Sequence, residues 1–362
     1  MYLRNSWQVA AFSEELDKPT LARRIMDDAV LLFRTNDGIS ALEDLCPHRL
    51  APLSAGRRAG DEIVCGYHGM TFGPDGVCTR MPGRSSIPAT ARVRRFPAVE
   101  QWGIVWIWMG NAELADPALL PDLHWLGQDK WRSVHGLLHV DADYRLINDN
   151  LLDLSHETYV HPTSVGNGQD GEEIAAFPVT IHDDGRVLCA ERLMPDVAAQ
   201  PGLSAAMGLG DRVDREQRAI YMAPSVNLTE GIMRSRKPGS NQAASHRILH
   251  LLTPEGPHST HYFFIASRDY KLDDAAMDQV SLKIADVAFG EDKAMIECQQ
   301  QSLNQHPGMT VPRIAWAIDK APVRGRRMLE ALVAAEQADS ALVVRPGCLL
   351  GRNAARENAV VA

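Results

Sequence analysis

Two short motifs constrain this chain more than anything else in it: Cys46-Pro47-His48 and Cys65-Gly66-Tyr67-His68, with sixteen residues between His48 and Cys65. Each begins where a short β-like run ends, residues 40–45 for the first and 62–64 for the second. Short apolar runs bounded by Gly, Pro and Asp read as strands, which places the two motifs at facing hairpin tips. One thiolate and one imidazole from each tip make a four-donor set. That set suits a tetrahedral zinc, or a [2Fe-2S] cluster in which histidines replace cysteines on one iron. Gly66 and Gly69 leave room for main-chain N–H groups to approach sulfur. Further β-like runs at 29–34 and 103–108 extend the pattern, so residues 1 to about 110 read as a small all-β domain.

A second stretch runs Asp149-Asn150-Leu151-Leu152-Asp153-Leu154-Ser155-His156-Glu157-Thr158-Tyr159-Val160-His161-Pro162. On a regular helix Asp153 and His156 share a face, whereas His161 points about 140° away from His156. The helix must therefore bend or end, and Pro162 disfavours the α conformation at His161. Two neutral imidazoles beside carboxylates are a nascent divalent-metal site; two surface histidines are the alternative. The third donor is sought in a long helix expected from about Asp274 toward Leu303, broken or bent near Gly290. There Asp292 falls on the face of Ala285, Ala288, Met295, Ile296 and Gln299, where an unpaired carboxylate is costly. Glu291 and Lys293 lie off that face and read as solvated. Asp292 could cap a helix or pair with an arginine; joined to His156 and His161 it completes a 2-His-1-carboxylate facial triad with open positions.

At 362 residues the chain can hold two domains. The expected fold class is α+β: an all-β cluster domain at 1–117, a catalytic domain of antiparallel sheet and helices at 118–345, and a tail at 346–362. Residues 247–253 and 260–266 read as adjacent antiparallel strands across Pro254-Glu255-Gly256-Pro257. A net charge of -9 without a cationic block argues against nucleic acid. No run of about 18 apolar residues and no apolar leader is present, so no membrane span and a cytoplasmic protein are expected. The remaining cysteines, Cys78, Cys189, Cys298 and Cys348, read as small apolar residues rather than a disulfide framework. The loop from Pro82 to Pro97, with Arg80, Arg84, Arg92, Arg94 and Arg95, is either a solvated connection or a docking surface for an acidic electron donor. Gly208-Leu209-Gly210 lacks a third glycine and a preceding strand, so no dinucleotide site is expected.

The spacing C-x-H, sixteen residues, C-x-x-H, with Pro47 and Gly66-Tyr67-His68-Gly69 in place, resembles the Rieske cluster-binding motif. With the 149–161 stretch and the late Glu291-Asp292-Lys293, the chain is similar over nearly its full length to oxygenase components of the Rieske non-haem iron oxygenases, in particular the aryl O-demethylase and monooxygenase group. The resemblance implies that Cys46 and Cys65 hold one cluster iron and His48 and His68 the other. It implies mononuclear Fe(II) on His156, His161 and Asp292, and a homotrimer in which Asp153 bridges His68 of one subunit and His156 of the next. It further implies O2 as co-substrate and NADH electrons through a separate flavin/[2Fe-2S] reductase. The implied reaction converts an aryl methoxy group of a vanillate-like aromatic acid to phenol and formaldehyde; an aryl methyl or ring-hydroxylating oxygenase acting on another aromatic acid is the alternative. Residues 221–228 and His250 correspond to where such monooxygenases bind an aromatic acid, making Asn227 and His250 candidate substrate contacts. A hydrogen-bonded core role is the alternative for each, and Arg234, Arg236 or Arg247 could pair with a carboxylate. Leu50 departs from the glycine that often follows His-Arg in these proteins, which bears on local loop packing.

Overall fold

Runs rich in Val, Ile, Leu and aromatic residues, cut every few residues by Gly, Pro or Asp, favour strands over helices. In the computed structural model, which describes residues 2–162, 171–199, 207–309, 311–314 and 316–350, every regular element before residue 121 is a strand or a 3-10 turn. The end of the expected tail, 351–362, lies outside the described residues.

The first compact unit comprises residues 1–120 together with 253–257 and 333–344. It holds three sheets, of which one contains Leu21–Ile25, Asp28–Thr35, Gly38–Glu43 and Arg95–Phe96, and another Arg57–Ala59, Glu62–Val64, Thr71–Phe72 and Cys78–Arg80. Alternate side chains of a strand point to opposite faces, and Asp28–Thr35 is buried on both. Val30 and Leu32 join a core with Ile25, Phe96, Val105 and Ile107, while Leu31 and Phe33 join a second with Leu42, Cys46, Ile63, Cys65, Met70 and Phe72. The unit is not one continuous stretch. Glu336 accepts the main-chain N–H groups of Arg4 and Asn5, at 2.9 and 2.6 Å, and Thr253 Oγ1 donates to the carbonyl of Val9 at 2.7 Å. Two later segments, 253–257 and 333–344, belong to this unit, and their polar groups complete its N-terminal backbone.

The second unit, residues 121–252, 258–332 and 345–362, is built on a seven-stranded sheet. Its strand order is Arg132–Val140, Ser259–Arg268, Ala243–Gly256, Val226–Ser235, Arg212–Met222, Val187–Ala198 and Val179–Asp183. The hairpin expected at 247–266 is present and longer at both ends. Helices Tyr144–Leu152, Glu157–Val160, Gly171–Ala176, Ala275–Gln305 and Lys320–Ala338 complete the α+β architecture among the described residues. Asp274 caps the long helix through the N–H of Ala276. That helix runs unbroken through Gly290, against expectation. Glycine costs about 1 kcal/mol in a helix interior, too little to interrupt 31 residues anchored by buried Ala285, Ala288, Phe289, Asp292, Ile296 and Gln300. The buried face is turned slightly from the expected one: Met295 is 56% exposed, and Gln300 rather than Gln299 points inward. No helix among the described residues is long and apolar enough to cross a membrane.

Candidate metal centres

The two Cys/His loops are the same turn made twice. In the first, the N–H of Leu50 donates to the carbonyl of Cys46 and the N–H of Cys46 to that of Ala51, both at 2.8 Å; in the second, Gly69 donates to Cys65 at 3.0 Å and Cys65 to Met70 at 2.7 Å. The fifth residue of each turn is left-handed, Gly69 with φ 72° and Leu50 with φ 56°. This explains why glycine suits position 50, and Leu50 holds the conformation at a cost of about 1 kcal/mol. The backbones of the loops abut: a Cβ on Gly66 would stand 2.9 Å from the carbonyl oxygen of Ala55.

Within this frame the thiols face in and the imidazoles face out. Cys46 and Cys65 are each 2% exposed, whereas His48 and His68 are exposed. The two Nδ1 atoms lie 3.2 Å apart. Donors each about 2.1 Å from one metal, at an angle near 100°, stand about 3.2 Å from each other. Burial pushes the Cys46 thiol up, while the N–H groups of His48 and Arg49, aimed at its sulfur, pull it down; such donors favour a thiolate bound to a metal group. The donor set fits a [2Fe-2S] cluster with sulfur ligands buried and nitrogen ligands at the rim.

In the second unit, helix Tyr144–Leu152 stops at Asp153, and a single turn, Glu157–Val160, follows between the two histidines. His161 leaves the helical region with φ -117° and ψ 46°, as the following proline requires. The long helix brings Asp292 against them: its Oδ1 lies 3.1 Å from His161 Nε2 and 3.4 Å from His156 Nε2. One donor atom from each residue fits within a 4.8 Å group. Burial pushes Asp292 up, but the two imidazoles outweigh it and hold the carboxyl well below its usual range. Burial lowers both histidines, and Asp292, together with Asp153 at His156 and Glu291 at His161, more than reverses this. A divalent cation on these three donors would replace the protons they share.

The other ring nitrogens are tied away from the centre. His161 Nδ1 bonds Glu291 Oε2 at 2.8 Å, and His156 Nδ1 bonds the main-chain carbonyl of Asp153. An Nδ1–H so held fixes the tautomer and turns the Nε2 lone pair inward. Two readings of the sequence are corrected here. Glu291, read as solvated, orients His161; its one-residue offset from the buried face still lets a long side chain reach back. Asp153 meets His156 through its carbonyl, while its carboxylate Oδ1 accepts the N–H of Ser155 at 2.8 Å. The helix ends between Asp153 and His156, so their side chains do not share a helical face. Asn150, which sequence reasoning passed over, donates to Asp292 Oδ1 at 3.0 Å. Its place in the same short stretch as His156 was the available signal.

Asn227 and His250 face each other across paired strands and are each 2% exposed. His250 bonds Tyr262 Oη at 2.6 Å and Thr229 Oγ1 at 3.1 Å, and burial holds its pKa at about 3, so it is neutral. Phe289, one helical turn before Asp292, packs edge-on against the His250 ring with centroids 5.6 Å apart. Asn227 Nδ2 donates to Asn148 Oδ1 at 2.7 Å, leaving its own buried Oδ1 without a partner. The three arginines considered for a substrate carboxylate already have acids: Arg234 with Glu216, Arg236 with Asp214, and Arg247 with Glu230.

The Rieske [2Fe-2S] domain family matches residues 6–97, and the vanillate O-demethylase oxygenase C-terminal domain family matches residues 140–335. Among curated relatives, the vanillate O-demethylase oxygenase subunit of Pseudomonas sp. (strain HR199 / DSM 7063) is 35% identical across 95% of this chain and 99% of its own. A putative toluene-4-sulfonate monooxygenase iron-sulfur subunit of Comamonas testosteroni is 36% identical across 94% and 100%. The crystal structure of dicamba monooxygenase bound to 3,6-dichlorosalicylic acid aligns with a TM-score of 0.85 at 33% identity, covering 92% of this chain and 98% of that one. With two family signatures in order along one polypeptide and relatives matched nearly end to end, the chain belongs to the Rieske oxygenases of the vanillate O-demethylase kind, a family of oxidoreductases.

Proposed function

We propose that this protein is the oxygenase component of an O-demethylase that oxidises the methoxy group of a vanillate-like aromatic acid to a phenol and formaldehyde. Cys46, Cys65, His48 and His68 hold the [2Fe-2S] cluster, and His156, His161 and Asp292 hold Fe(II). The observation that carries this reading is the convergence of two Nε2 atoms on Asp292 Oδ1, each ring tied back through Nδ1. Iron bound there would supply dioxygen activation beside a substrate C–H bond. Hydroxylation of a methoxy carbon gives a hemiacetal, which collapses to the products.

The chain's own groups set what enters. Asn227 and His250 lie buried on one face of the sheet, with the orphaned Asn227 Oδ1 and, against His250, the Phe289 ring. The open Asn227 Oδ1 is an acceptor and suits a substrate hydroxyl, while His250, with both ring nitrogens bonded to Tyr262 and Thr229, offers a neutral ring face. Electrons come from NADH through a separate flavin/[2Fe-2S] reductase. Arg80, Arg84, Arg92 and Arg95 are exposed, without an acidic partner among the described residues, while Cys78, Ala91 and Val93 beside them share a core with the cluster cysteines and Met81 packs on it. An acidic donor docked on these arginines stands close to the cluster. In a homotrimer, Asp153 connects His68 of one subunit with the iron site of the next. The setting is cytoplasmic.

A methyl-oxidising reading is kept because the toluene-4-sulfonate relative is as similar as the vanillate one. The deciding experiment supplies iron-replete protein with a vanillate-type reductase, NADH, oxygen and a panel of methoxy- and methyl-substituted aromatic acids. Formaldehyde released in step with NADH consumption supports O-demethylation. A hydroxymethyl or ring-hydroxylated product without formaldehyde overturns it and leaves the oxygenase assignment standing.

A further inference from the structure

We infer that Glu157 is a positioning residue: clamped to the sheet by buried arginines, it sets where both histidines of the candidate iron site stand. The inference rests on reading His156, His161 and Asp292 as that site.

The turn that carries the histidines is only four residues long, Glu157–Val160. One helical turn does not hold its own shape in water, because nucleation costs more than a single turn returns. Its place must come from tertiary contacts, and few are available. Tyr159 is 66% exposed and Val160 only half-buried, while the Thr158 hydroxyl makes one bond, to the carbonyl of Gly171 at 3.1 Å. Glu157 points the other way and is 8% exposed. Arg215 donates to its Oε1 at 2.6 Å, Gln217 to its Oε2 at 2.7 Å, and Arg192 approaches Oε2 at 3.5 Å. Arg192 also donates to Gln217 Oε1 at 2.8 Å, and the two face each other across neighbouring strands. The main chain of the same residue reaches the second histidine: the N–H of His161 donates to the carbonyl of Glu157 at 3.2 Å. His156 precedes it directly. Moving Glu157 therefore moves both imidazoles.

Stability is a poor explanation for this cluster. Apolar residues of similar volume usually serve a core at least as well as a buried ion group. This one also leaves Arg192 Nε buried with no partner. What it provides is direction, because a carboxylate held by a fixed fork and an amide has one position and one orientation. The triad thus has two separate supports: the sheet, through Glu157, and the long helix, through Asp292 and Glu291.

The test uses full-length protein and reads mononuclear metal against the cluster's visible absorbance, which serves as an internal standard. Affinity for Fe(II) and for Co(II) is titrated alongside thermal unfolding in Glu157→Ala, Glu157→Gln and the double variant Glu157→Leu/Arg215→Leu. Loss of a group that orients ligands typically weakens metal affinity about 10- to 100-fold. That loss is expected in Glu157→Ala with the cluster absorbance unchanged, a smaller loss in Glu157→Gln, and in the apolar double variant a recovered Tm without recovered affinity. If Glu157→Ala does not fold, the other two variants carry the comparison. Affinity within about twofold of the parent in Glu157→Gln and the double variant, or affinity that returns together with Tm, would show packing alone and overturn the inference. His161→Ala separates the two levels: if it keeps its mononuclear metal, the site reading fails; if it loses the metal while the Glu157 variants keep theirs, only the clamp fails.

Discussion

The two candidate metal-binding regions solve the same problem in opposite ways. The cluster loops are local: four donors within 23 residues, on two copies of one turn, with thiols buried and main-chain N–H groups aimed at sulfur. The triad is assembled from afar, joining a single turn at 157–160 to a helix residue more than a hundred positions later, with each donor oriented by a different neighbour. A site whose backbone is its own support tolerates changes elsewhere. One that borrows its geometry from a sheet and a long helix is sensitive to residues that never touch the metal.

The sharpest break separates the sites outright. His161→Ala should lose mononuclear iron and about a thousandfold or more in turnover while the cluster absorbance stays; Cys65→Ser should lose the cluster absorbance, and turnover with it, while the mononuclear iron stays, and metal analysis beside visible spectra decides. Loss of both metals in either variant would mean the regions are not independently built. Next is Asp153→Asn, which preserves the bond from Ser155 but removes charge. It is expected to keep both metals and lose most turnover; full activity with normal electron transfer would remove the bridging role. Glu291→Gln is milder, since an amide oxygen can still accept from His161 Nδ1. A roughly tenfold drop in iron affinity is anticipated, and an unchanged titration would make Glu291 incidental.

Acid probes the borrowed support. His250 is neutral in the fold, with its pKa lowered from 6.5 to about 3 by burial, so the unfolded chain binds its proton first. Its contribution is present above pH 6.5 and is lost as pH falls toward 3, by at most about 1.4 kcal/mol per pH unit. Tm measured from pH 7 to 4 should fall less steeply in His250→Gln than in the parent; parallel curves would place the acid sensitivity elsewhere. The smallest effect belongs to the local site. Leu50→Gly relieves a left-handed leucine that is 67% exposed and should raise stability by about 0.5–1 kcal/mol. Denaturant midpoints would register it, and a loss of stability would mean the leucine side chain contributes more than its backbone costs.

Legibility in the sequence follows the same division. The cluster loops could be read because their donors, their spacing and their glycines lie within one short segment. The strands at 28–35, 62–64 and 104–108 announced themselves by apolar runs. His161 turned out of the helix where Pro162 said it must. Asp292 was legible as an acid on an apolar face. Glu291 and Glu157 were not, since a charged residue beside a ligand looks the same in sequence whether it meets water or an arginine. The unbroken helix through Gly290 was missed for a related reason: propensity is a small local cost, and the packing that outweighs it comes from residues elsewhere.

The sequence by itself thus determined which residues can bind metal, where the chain must turn, and that an all-β segment precedes a mixed one. Only the tertiary structure decided which nitrogen of each histidine points inward, which carbonyl or carboxylate holds the other, and which buried arginines fix the turn between them. Donor chemistry belongs to each residue, whereas orientation belongs to contacts between residues far apart in the chain, and those exist only once the sheet and the long helix have closed on one another.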